Sequence, residues 1–572
     1  MAPRILVQTA SDNASRRWFR RIFACQINDL SKSGPSQPRR VGAIVLSMRF
    51  STITVAVLAL AACDQKDPSK SQGTAGLKSG LDEATKKDEP KPVGPAQIKK
   101  PVDTRPLPPL EKDPGGATGK PKSGIGFGGL GIDTPKDMAI AADGSVYVVG
   151  YFDGELDAGP GGKLKAQLPD PDPKAKKKVV TTSDAYLVKV GPDGKIAWAR
   201  SWGAKRDDVA LGVAVQGDLV AVVGNFLDSL EIGTLEARAA NSDDAYVVAF
   251  DSKGTAQWLY TAGGVDSDGA NTIVAAPDGG WYVGGSFMKV ASFEPTRQEY
   301  KAKGGTDAFL VKLTRSGDFE WVKTFGGNYN DTILHLALDP RGSIYIQGHF
   351  KDKSDWGGGP LVAGGGSDND VVLAKYDSNG DHLWSKRFGN AFNDVAGGLA
   401  VDPAGNVTMV GSFDKSVTFG EGDDHISKGE ADIFIARFDT EGKLAWARTY
   451  GGDREDVGWG IAADAAGNTV MTGWFQSSID WGKTTLPESK SAGNKDVFAI
   501  KHDADGNVVW VQTWGDKDHD QGRGVVIDPK GDIIVTGLYR FSLAAVTPAL
   551  ESVRAPDDRI PKPDTFVLRL AR

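Results

Sequence analysis

Residues 394–413 read DVAGGLAVDPAGNVTMVGSF, two short apolar runs separated by an Asp-Pro-Ala-Gly-Asn turn. Residues 432–452 continue as DIFIARFDTEGKLAWARTYGG, two further runs around an Asp-Thr-Glu-Gly turn. Valine, isoleucine and aromatic residues in runs of this length, bounded by glycine, proline and aspartate, predict β-strands. Apolar residues on both sides of the alternation predict sheets packed face to face. The stretch therefore predicts a small four-stranded antiparallel sheet.

This pattern recurs between Gly128 and Arg572 with a period of about 62 residues. A strand-ending glycine recurs at Gly150, Gly224, Gly285, Gly348, Gly411, Gly473 and Gly537. A mid-repeat aspartate recurs at Asp184, Asp244, Asp307, Asp370, Asp432, Asp496 and Asp564. An opening aspartate is assigned to Asp137, Asp208, Asp268, Asp331, Asp394, Asp456 and Asp520. Seven copies of four strands predict an all-β, seven-bladed β-propeller over residues 123–572.

A tryptophan marks the fourth strand of the repeat in six copies: Trp198, Trp258, Trp321, Trp384, Trp446 and Trp510. The seventh copy ends at Arg572, where the next tryptophan strand would begin, and an unassigned strand, GIGFGG, occupies residues 124–129. We expect this N-terminal strand to complete the last sheet beside Phe566 to Leu570. Such pairing closes the ring and hides its exposed strand edges.

Three further segments precede the repeats. Residues 1–47 are basic and carry no repeat, and we expect Met48 to be the true start, which would make them an artefact of gene calling. Residues 48–63 read MRFSTITVAVLALAAC, a short positive start and an apolar core. They resemble a bacterial lipoprotein signal, which implies that Cys63 is lipidated and carries palmitate-like acyl chains. Residues 64–122 are rich in Lys, Pro and Gly and predict a disordered tether.

The charge balance narrows the classes of partner. The whole chain has a formal net charge of −7, and its first 122 residues carry more basic than acidic side chains, so the repeats are acidic. An acidic soluble domain argues against nucleic acid as a partner. Because Cys25 and Cys63 are the two cysteines of the chain, the repeats hold no disulfide.

Several residue series suggest chemistry or structure. The spacing D-x-x-G-x-x-x-W, as in Asp439, Gly442 and Trp446, resembles the tryptophan-docking motif of quinoprotein propellers, in which the ring locks one blade to the next. The vicinal cysteine pair common in that family is absent from this sequence. No Gly-x-Ser-x-Gly elbow, His-Glu-x-x-His motif or phosphate loop occurs in the sequence either. His349, between Gly348 and Phe350, is interpreted as a local variation of the repeat.

Carboxylates at equivalent points of seven copies could supply hard oxygen ligands to a cation. The alternative is that each aspartate accepts backbone N–H bonds within its own turn. Asp516, Asp518 and Asp520 alternate and are weak candidates for a calcium site, although their spacing is not that of an EF-hand. The favoured expectation is a protein without a cofactor, with calcium left open.

The repeat as a whole resembles the bacterial β-propeller repeat family often labelled SBBP, through GGxxxD, V-x-G-x-F and D-x-x-G-x-x-x-W. That resemblance implies an exported or surface protein. Together with the lipoprotein signal, it favours a lipid-anchored protein of the bacterial envelope at the outer membrane or cell surface, with the inner membrane left open. We expect a monomeric, non-enzymatic module that binds a protein or a glycan. Two alternatives remain open: a periplasmic enzyme (a lyase, hydrolase or quinoprotein-like oxidoreductase) using the central channel, and a structural spacer or matrix protein.

Overall fold

The computed structural model describes residues 47–50, 53–56, 99–167, 182–365, 368–390, 392–482, 489–553 and 560–572. The chain divides into two compact parts, Met1–Pro92 and Val93–Arg572. In the first part, Ser47–Phe50 pairs with Ile53–Ala56 as a short antiparallel hairpin within the predicted signal segment. Cys63 lies outside the described residues. No helix in the described parts of the chain is long and apolar enough to span a bilayer.

The second part is all-β, and its sheets are antiparallel throughout. It contains seven consecutive four-stranded sheets, called blades 1 to 7. Blade 1 comprises Asp133–Ile140, Val146–Asp153, Ser183–Val190 and Ile196–Trp202. Blade 2 comprises Asp208–Gln216, Leu219–Ile232, Leu235–Asp251 and Ala256–Gly264. Blade 3 comprises Asp268–Ala275, Trp281–Ser292, Glu299–Leu313 and Phe319–Gly327. Blades 4 and 5 comprise Thr332–Leu338, Ile344–Phe350, Asp370–Tyr376 and His382–Phe388; and Val395–Val401, Val407–Phe413, Asp432–Phe438 and Leu444–Tyr450. Blade 6 comprises Val457–Ala463, Thr469–Ile479, Ser489–His502 and Val508–Trp514, and blade 7 comprises Gln521–Ile527, Ile533–Tyr539, Asp564–Leu570 and Pro121–Gly129.

Short hairpins lie between the second and third strands of several blades. They are formed by Glu155–Asp157 with Lys163–Lys165, Lys353–Asp355 with Pro360–Val362, Ser416–Thr418 with Asp424–Ile426, and Ser542–Leu543 with Leu550–Glu551. A single 3-10 turn, Gly159–Gly161, interrupts the β-structure of the described residues. Some hairpins pair with the last strand of the preceding blade. Gly128 and Gly129 of blade 7, for example, pair with Asp157 and Leu156 in the hairpin of blade 1. A Cβ on Gly129 would overlap the Glu155 carbonyl oxygen, which explains the glycine at this position.

The predicted pairing of the chain termini is present. Ile125 lies opposite Val567 and Gly126 lies opposite Phe566, so the N-terminal strand is the fourth strand of blade 7. The strand begins at Pro121, three residues earlier than the sequence pattern indicated. The first strands of consecutive blades contact one another in order, and the first strand of blade 7 contacts that of blade 1. These contacts form a cyclic series.

The core lies between neighbouring blades. Every residue of Val407–Phe413 and of Asp432–Phe438 is buried, the burial on both faces that their unbroken apolar character predicted. The apolar clusters join residues from adjacent sheets, as where Tyr345 of blade 4 packs in one cluster with Phe434 of blade 5. Each blade is thus stabilised by the burial of apolar surface against its neighbours.

The predicted disordered tether was wrong for residues 99–122. Lys99–Lys120, called the strap, runs over the tight turns of the blades before the first strand of the domain begins. Glu111 donates its backbone N–H to the Ala465 carbonyl at 2.9 Å, and Leu110 packs against Gly467. Lys100 bonds Asp278 and Glu320 at 2.8 and 2.9 Å. The prediction rested on the average composition of residues 64–122. That average does not show that a few apolar and cationic side chains each contact a complementary group.

Candidate functional site

The cyclic series of blades has two ends, which we call the turn face and the hairpin face. The turn face holds the tight turns after the first and third strands, such as Asp402–Asn406 and Asp439–Gly442. The hairpin face holds the connections between second and third strands and the opening aspartates. The strap bonds residues of the turn face, where Asn379 and Lys100 exchange two hydrogen bonds of 2.9 Å. Among the described residues, the strap therefore occupies the face opposite the hairpins.

The structure places the predicted tryptophans at the turn face, each against the next blade. The Nε1 of Trp198, Trp384 and Trp446 donates to a backbone carbonyl of the following blade at 3.0 to 3.2 Å. The rings also meet a turn glycine of that blade: Trp198 with Gly254, Trp258 with Gly317, Trp321 with Gly380, Trp384 with Gly442 and Trp446 with Gly506. Trp510 instead meets Gly119 of the strap, because blade 7 has no third-to-fourth-strand turn. Five of these indoles therefore contact a turn glycine of the sheet that follows their own.

The opening aspartates lie at the hairpin face and cap backbone N–H groups. Each accepts a hydrogen bond of 2.6 to 3.2 Å from the residue four positions earlier, and the seven residues are Asp133, Asp208, Asp268, Asp331, Asp394, Asp456 and Asp520. The assignment of Asp137 to this series was wrong, because Asp133 occupies the position in blade 1. The four-residue spacing from the last strand glycine, shared by Gly129–Asp133 and Gly452–Asp456, identifies the correct residue.

The mid-repeat aspartates lie beside the opening aspartates of the next blade, so each junction holds two buried carboxyl groups. One oxygen, Oδ1, is buried without a hydrogen-bond partner in Asp184, Asp244, Asp307, Asp370, Asp432, Asp496 and Asp564. Burial, with repulsion from Asp564, raises the pKa of Asp133 to about 9. Burial likewise raises the pKa of Asp564 to about 7.

A series of ion pairs that the sequence analysis missed lies near the turn face. A basic residue on the third strand pairs with an aspartate of the first turn in five blades: Lys312 with Asp278, Lys375 with Asp339, Arg437 with Asp402, Lys501 with Asp464 and Arg569 with Asp528. The sequence signal was present as the basic residue five positions after the mid-repeat aspartate of these blades, as in Asp432 and Arg437. Because these cations are compensated within their own blades, they are not free to bind a ligand.

The weak calcium candidates do not converge on one point. Asp520 accepts backbone N–H bonds from Asp516 and Arg540 at 2.9 and 3.0 Å. Asp516 accepts the Ser542 N–H at 3.0 Å, and Asp518 lies 3.5 Å from the guanidinium of Arg540. Over the described ranges, no three His, Cys, Asp or Glu side chains are grouped in a way that could hold a metal ion. The arrangement of these aspartates fits backbone capping.

The first strands of all seven blades line a cavity of about 390 Å³. Each first strand contains one β-bulge, and the extra residue lines this channel. The bulge residues are Lys136, Leu211, Asn271, Leu334, Gly397, Trp459 and Arg523. A bulge turns a side chain away from the strand's normal alternation. The side chain at the bulge therefore differs in size and charge from blade to blade, whereas the repeat pattern around it recurs.

Blades 6, 7 and 1 concentrate aromatic and basic groups at the hairpin end of the channel. The guanidinium of Arg523 lies 4.6 Å from the ring of Trp459 and 5.1 Å from that of Trp474. The two indoles lie 5.5 Å apart. Lys136 lies 5.3 Å from the ring of Tyr151. We call these five residues the mouth cluster.

The mouth cluster holds two cations without an acidic partner among the described residues. Burial lowers the pKa of Arg523 to about 10. Burial, followed by repulsion from Arg523, lowers the pKa of Lys136 to about 8. Asp137 forms no ion pair with either cation in the described part of the chain; its two oxygens accept the N–H of Met138 at 2.8 Å and that of Val213 at 2.9 Å. The site is therefore a locally positive spot in an acidic protein.

The opposite side of the channel is small or neutral. His349 accepts the backbone N–H of Ala396 at 2.6 Å, and burial lowers its pKa to about 4. Burial also lowers the pKa of His335 to about 4. Gly397 leaves the bulge position of blade 5 without a side chain. The interpretation of His349 as a local variation fits this packing, and the positive charge of the channel is confined to one side.

No protein-family model matches this chain. An uncharacterised WD repeat-containing protein of Acanthamoeba polyphaga mimivirus is 20% identical over 443 residues, covering 62% of this chain and 31% of the relative. The regulatory protein FlaEY of Caulobacter vibrioides is 27% identical over 230 residues, covering 38% of this chain and 22% of the relative. The chain thus spans less than a third of the length of these two curated relatives.

Similar solved structures include both binding proteins and enzymes. YCF48 bound to D1 peptide has a TM-score of 0.36 at 10% identity, covering 82% of this chain and 98% of that one. A glucose dehydrogenase has a TM-score of 0.27 at 11% identity, covering 60% and 96%. The series of four-stranded sheets and the WD repeat-containing relative support a β-propeller repeat protein.

Proposed function

We propose that this protein is a non-enzymatic binding module of the bacterial envelope, formed by one closed seven-bladed propeller and lipid-anchored through Cys63. Its ligand is a protein or a glycan, bound at the hairpin end of the central channel. The observation that carries this proposal is the mouth cluster. It places aromatic and cationic side chains at positions where other blades carry small or neutral residues. Binding sites gather such groups in a concave, preformed setting.

The strap supports the choice of face. Hydrogen bonds and ion pairs hold Lys99–Lys120 on the tight turns, so the chain approaches the propeller from the turn face. The strap thus covers part of the turn face, and no strap residue that the structure describes lies on the hairpin face. The acidic balance of the repeats agrees with a partner other than nucleic acid.

Site-specific photo-cross-linking in intact cells tests this function. A photoreactive residue replaces Lys289, exposed at the hairpin face, or Lys530, exposed in a tight turn, as a matched control. We expect a discrete cross-linked product from position 289 and none from position 530. Products from position 530 alone, or catalytic turnover of an envelope component by the purified protein, would contradict the proposal.

A further inference from the structure

We propose that the mouth cluster binds the carboxylate of an acidic sugar, with Arg523 and Lys136 as the anion-binding groups. This inference rests on the proposed binding function and names the chemistry of its ligand.

The first step is the charge of the cluster. An isolated buried cation is costly, and proteins normally pair it with an acid. The third-strand cations of five blades follow that rule, as Arg437 does with Asp402. Arg523 has one hydrogen bond, from Nη2 to Gln521 Oε1 at 2.6 Å, and its buried Nε has no partner. Lys136 has a tyrosine ring as its neighbour. Both cations are partly buried, line the cavity and have no acidic partner among the described residues, so an anion is the ligand that suits them.

The second step is the shape of the anion. A guanidinium presents a planar fork of donors that matches a carboxylate in two parallel bonds. Contacts with the rings of Trp459 and Trp474 restrict the Arg523 guanidinium, so little side-chain freedom is lost when an anion binds. Lys136 then supplies a second, compact charge.

The third step is the body that carries the carboxylate. The cavity volume of about 390 Å³ suits a compact molecule such as a small saccharide. Trp459 lines the cavity and is half-buried, so part of its indole is available to the C–H face of a sugar ring. Thr272 and Asn271 also line the channel. The Nδ2 of Asn271 donates to Thr332 and Ile333, which leaves its Oδ1 to accept a hydrogen bond from a hydroxyl group. An acidic peptide would use the same cations but would leave these contacts unexplained.

Isothermal titration calorimetry on the full-length protein tests this assignment. The probes are galacturonate and glucuronate, their neutral counterparts galactose and glucose, inorganic phosphate, and a short peptide with a free C-terminal carboxylate. We expect the uronates to bind at least tenfold more tightly than the neutral sugars, with an affinity that falls as salt rises. Equal affinity for the neutral sugars, or tighter binding of phosphate or peptide, would overturn the assignment.

Two variants connect binding to the cluster. Arg523→Gln should weaken uronate binding about 10- to 100-fold, because a charge-assisted hydrogen-bond pair is lost. Arg448→Gln is the matched control, because Arg448 also stacks on a tryptophan, 5.7 Å from the ring of Trp446, but does not line the channel. Lys136→Gln provides a second test that leaves the indole stack intact. Unchanged affinity in both folded channel variants would overturn the proposal.

The outcomes separate this inference from the proposed function. If the hairpin face cross-links to a partner but uronates do not bind, the binding function stands and the acidic-sugar assignment fails. If uronates bind and Lys289 yields no cross-link while Lys530 does, the assignment stands and the proposed orientation fails.

Discussion

The indole of Trp446 lies on Gly506 of the next blade, and its Nε1 donates to the Ala504 carbonyl at 3.0 Å. A Cβ on Gly506 would come within 2.5 Å of the indole, so this close contact with the tryptophan requires glycine in the turn. Equivalent contacts repeat from blade to blade. The stability of each blade therefore depends on the neighbour that receives its tryptophan.

Replacing Trp446 by alanine should lower the free energy of unfolding by about 3–5 kcal/mol, the usual cost of truncating a buried tryptophan. Circular dichroism or calorimetric melting measures this loss. We expect uronate binding to the folded variant to be unchanged, since Trp446 does not line the channel. An unaltered melting temperature accompanied by lost binding would show that the tryptophan series has a ligand-binding role.

Replacing Gly506 by alanine isolates the contact with the indole. Gly506 has a φ of 79° and Gly233 has a φ of 64°, but a Cβ on Gly233 would meet no atom within 4 Å. Both substitutions carry the strain of a positive φ. We expect Gly506→Ala to lower the melting temperature clearly more than Gly233→Ala. Equal effects of the two changes would mean that the indole contact contributes nothing.

The junction carboxyl pairs predict that the domain is more stable in mild acid than in alkali. Burial raises the pKa of Asp133 to about 9 from an ordinary value of 3.8, with Asp564 and Asp153 as the acidic neighbours that add to the shift. A raised pKa in the folded state means that this contribution is complete below pH 3.8 and is lost as pH rises towards 9. Melting temperatures at pH 5 should exceed those at pH 9.

Asp133→Asn tests whether that dependence arises at the junction. The neutral amide should flatten part of the fall in stability between pH 5 and pH 9. Asp143→Asn is the control, because hydrogen bonding to Ser145 lowers rather than raises the pKa of that turn carboxyl. If the stability of Asp133→Asn falls with pH as steeply as that of the parent, the pH dependence arises from other groups.

Stepwise N-terminal deletion separates the strap from the closing strand. Removing residues 64–98 should leave the melting temperature unchanged, whereas removing residues 64–120 should lower it, because the strap contacts are lost. Starting the chain at Leu130 also removes the strand that pairs with Asp564–Leu570, which exposes a sheet edge. We expect that form to melt lowest or to oligomerise. A monomer that begins at Leu130 and melts like the parent would contradict closure by the termini.

Cys63→Ser should abolish lipid labelling and release the protein from the membrane fraction. Acyl chains contribute about 0.8 kcal/mol per buried CH₂, so several of them hold a protein firmly. Incorporation of labelled palmitate into cells expressing each form measures the effect. Cys25→Ser serves as the control. Its labelling should equal that of the parent whether or not residues 1–47 are translated. Unchanged labelling of Cys63→Ser would contradict the anchor.

Much of the fold could be predicted because it depends on local patterns that repeat. Runs such as Val407–Phe413 and turns such as Asp402–Asn406 specify strands and their connections without long-range information. The pairing of Ile125 with Val567 followed from an unassigned strand before the first copy and a missing fourth strand in the last copy. The strap could not be predicted in this way, because Leu110 and Lys100 contact residues hundreds of positions away.

The candidate site was largely beyond prediction. Lys136, Trp459 and Arg523 line the channel because each sits at a β-bulge, and a period of two cannot show where a strand inserts an extra residue. Cations of this kind also look alike in sequence whether or not an acid compensates them. The third-strand basic residues and Arg523 differ only in the partners that the fold supplies.

Hydrogen–deuterium exchange of the full-length protein, with and without an envelope extract, tests the central claim of ligand binding at the hairpin end of the channel most directly. We predict slower exchange in the channel-lining starts of the first strands of blades 1, 6 and 7, around Lys136, Trp459 and Arg523, with the turn around Lys530 unchanged. Arg523→Gln should remove that protection. Protection confined to the turn face, or conversion of an extract component into a product, would contradict the account.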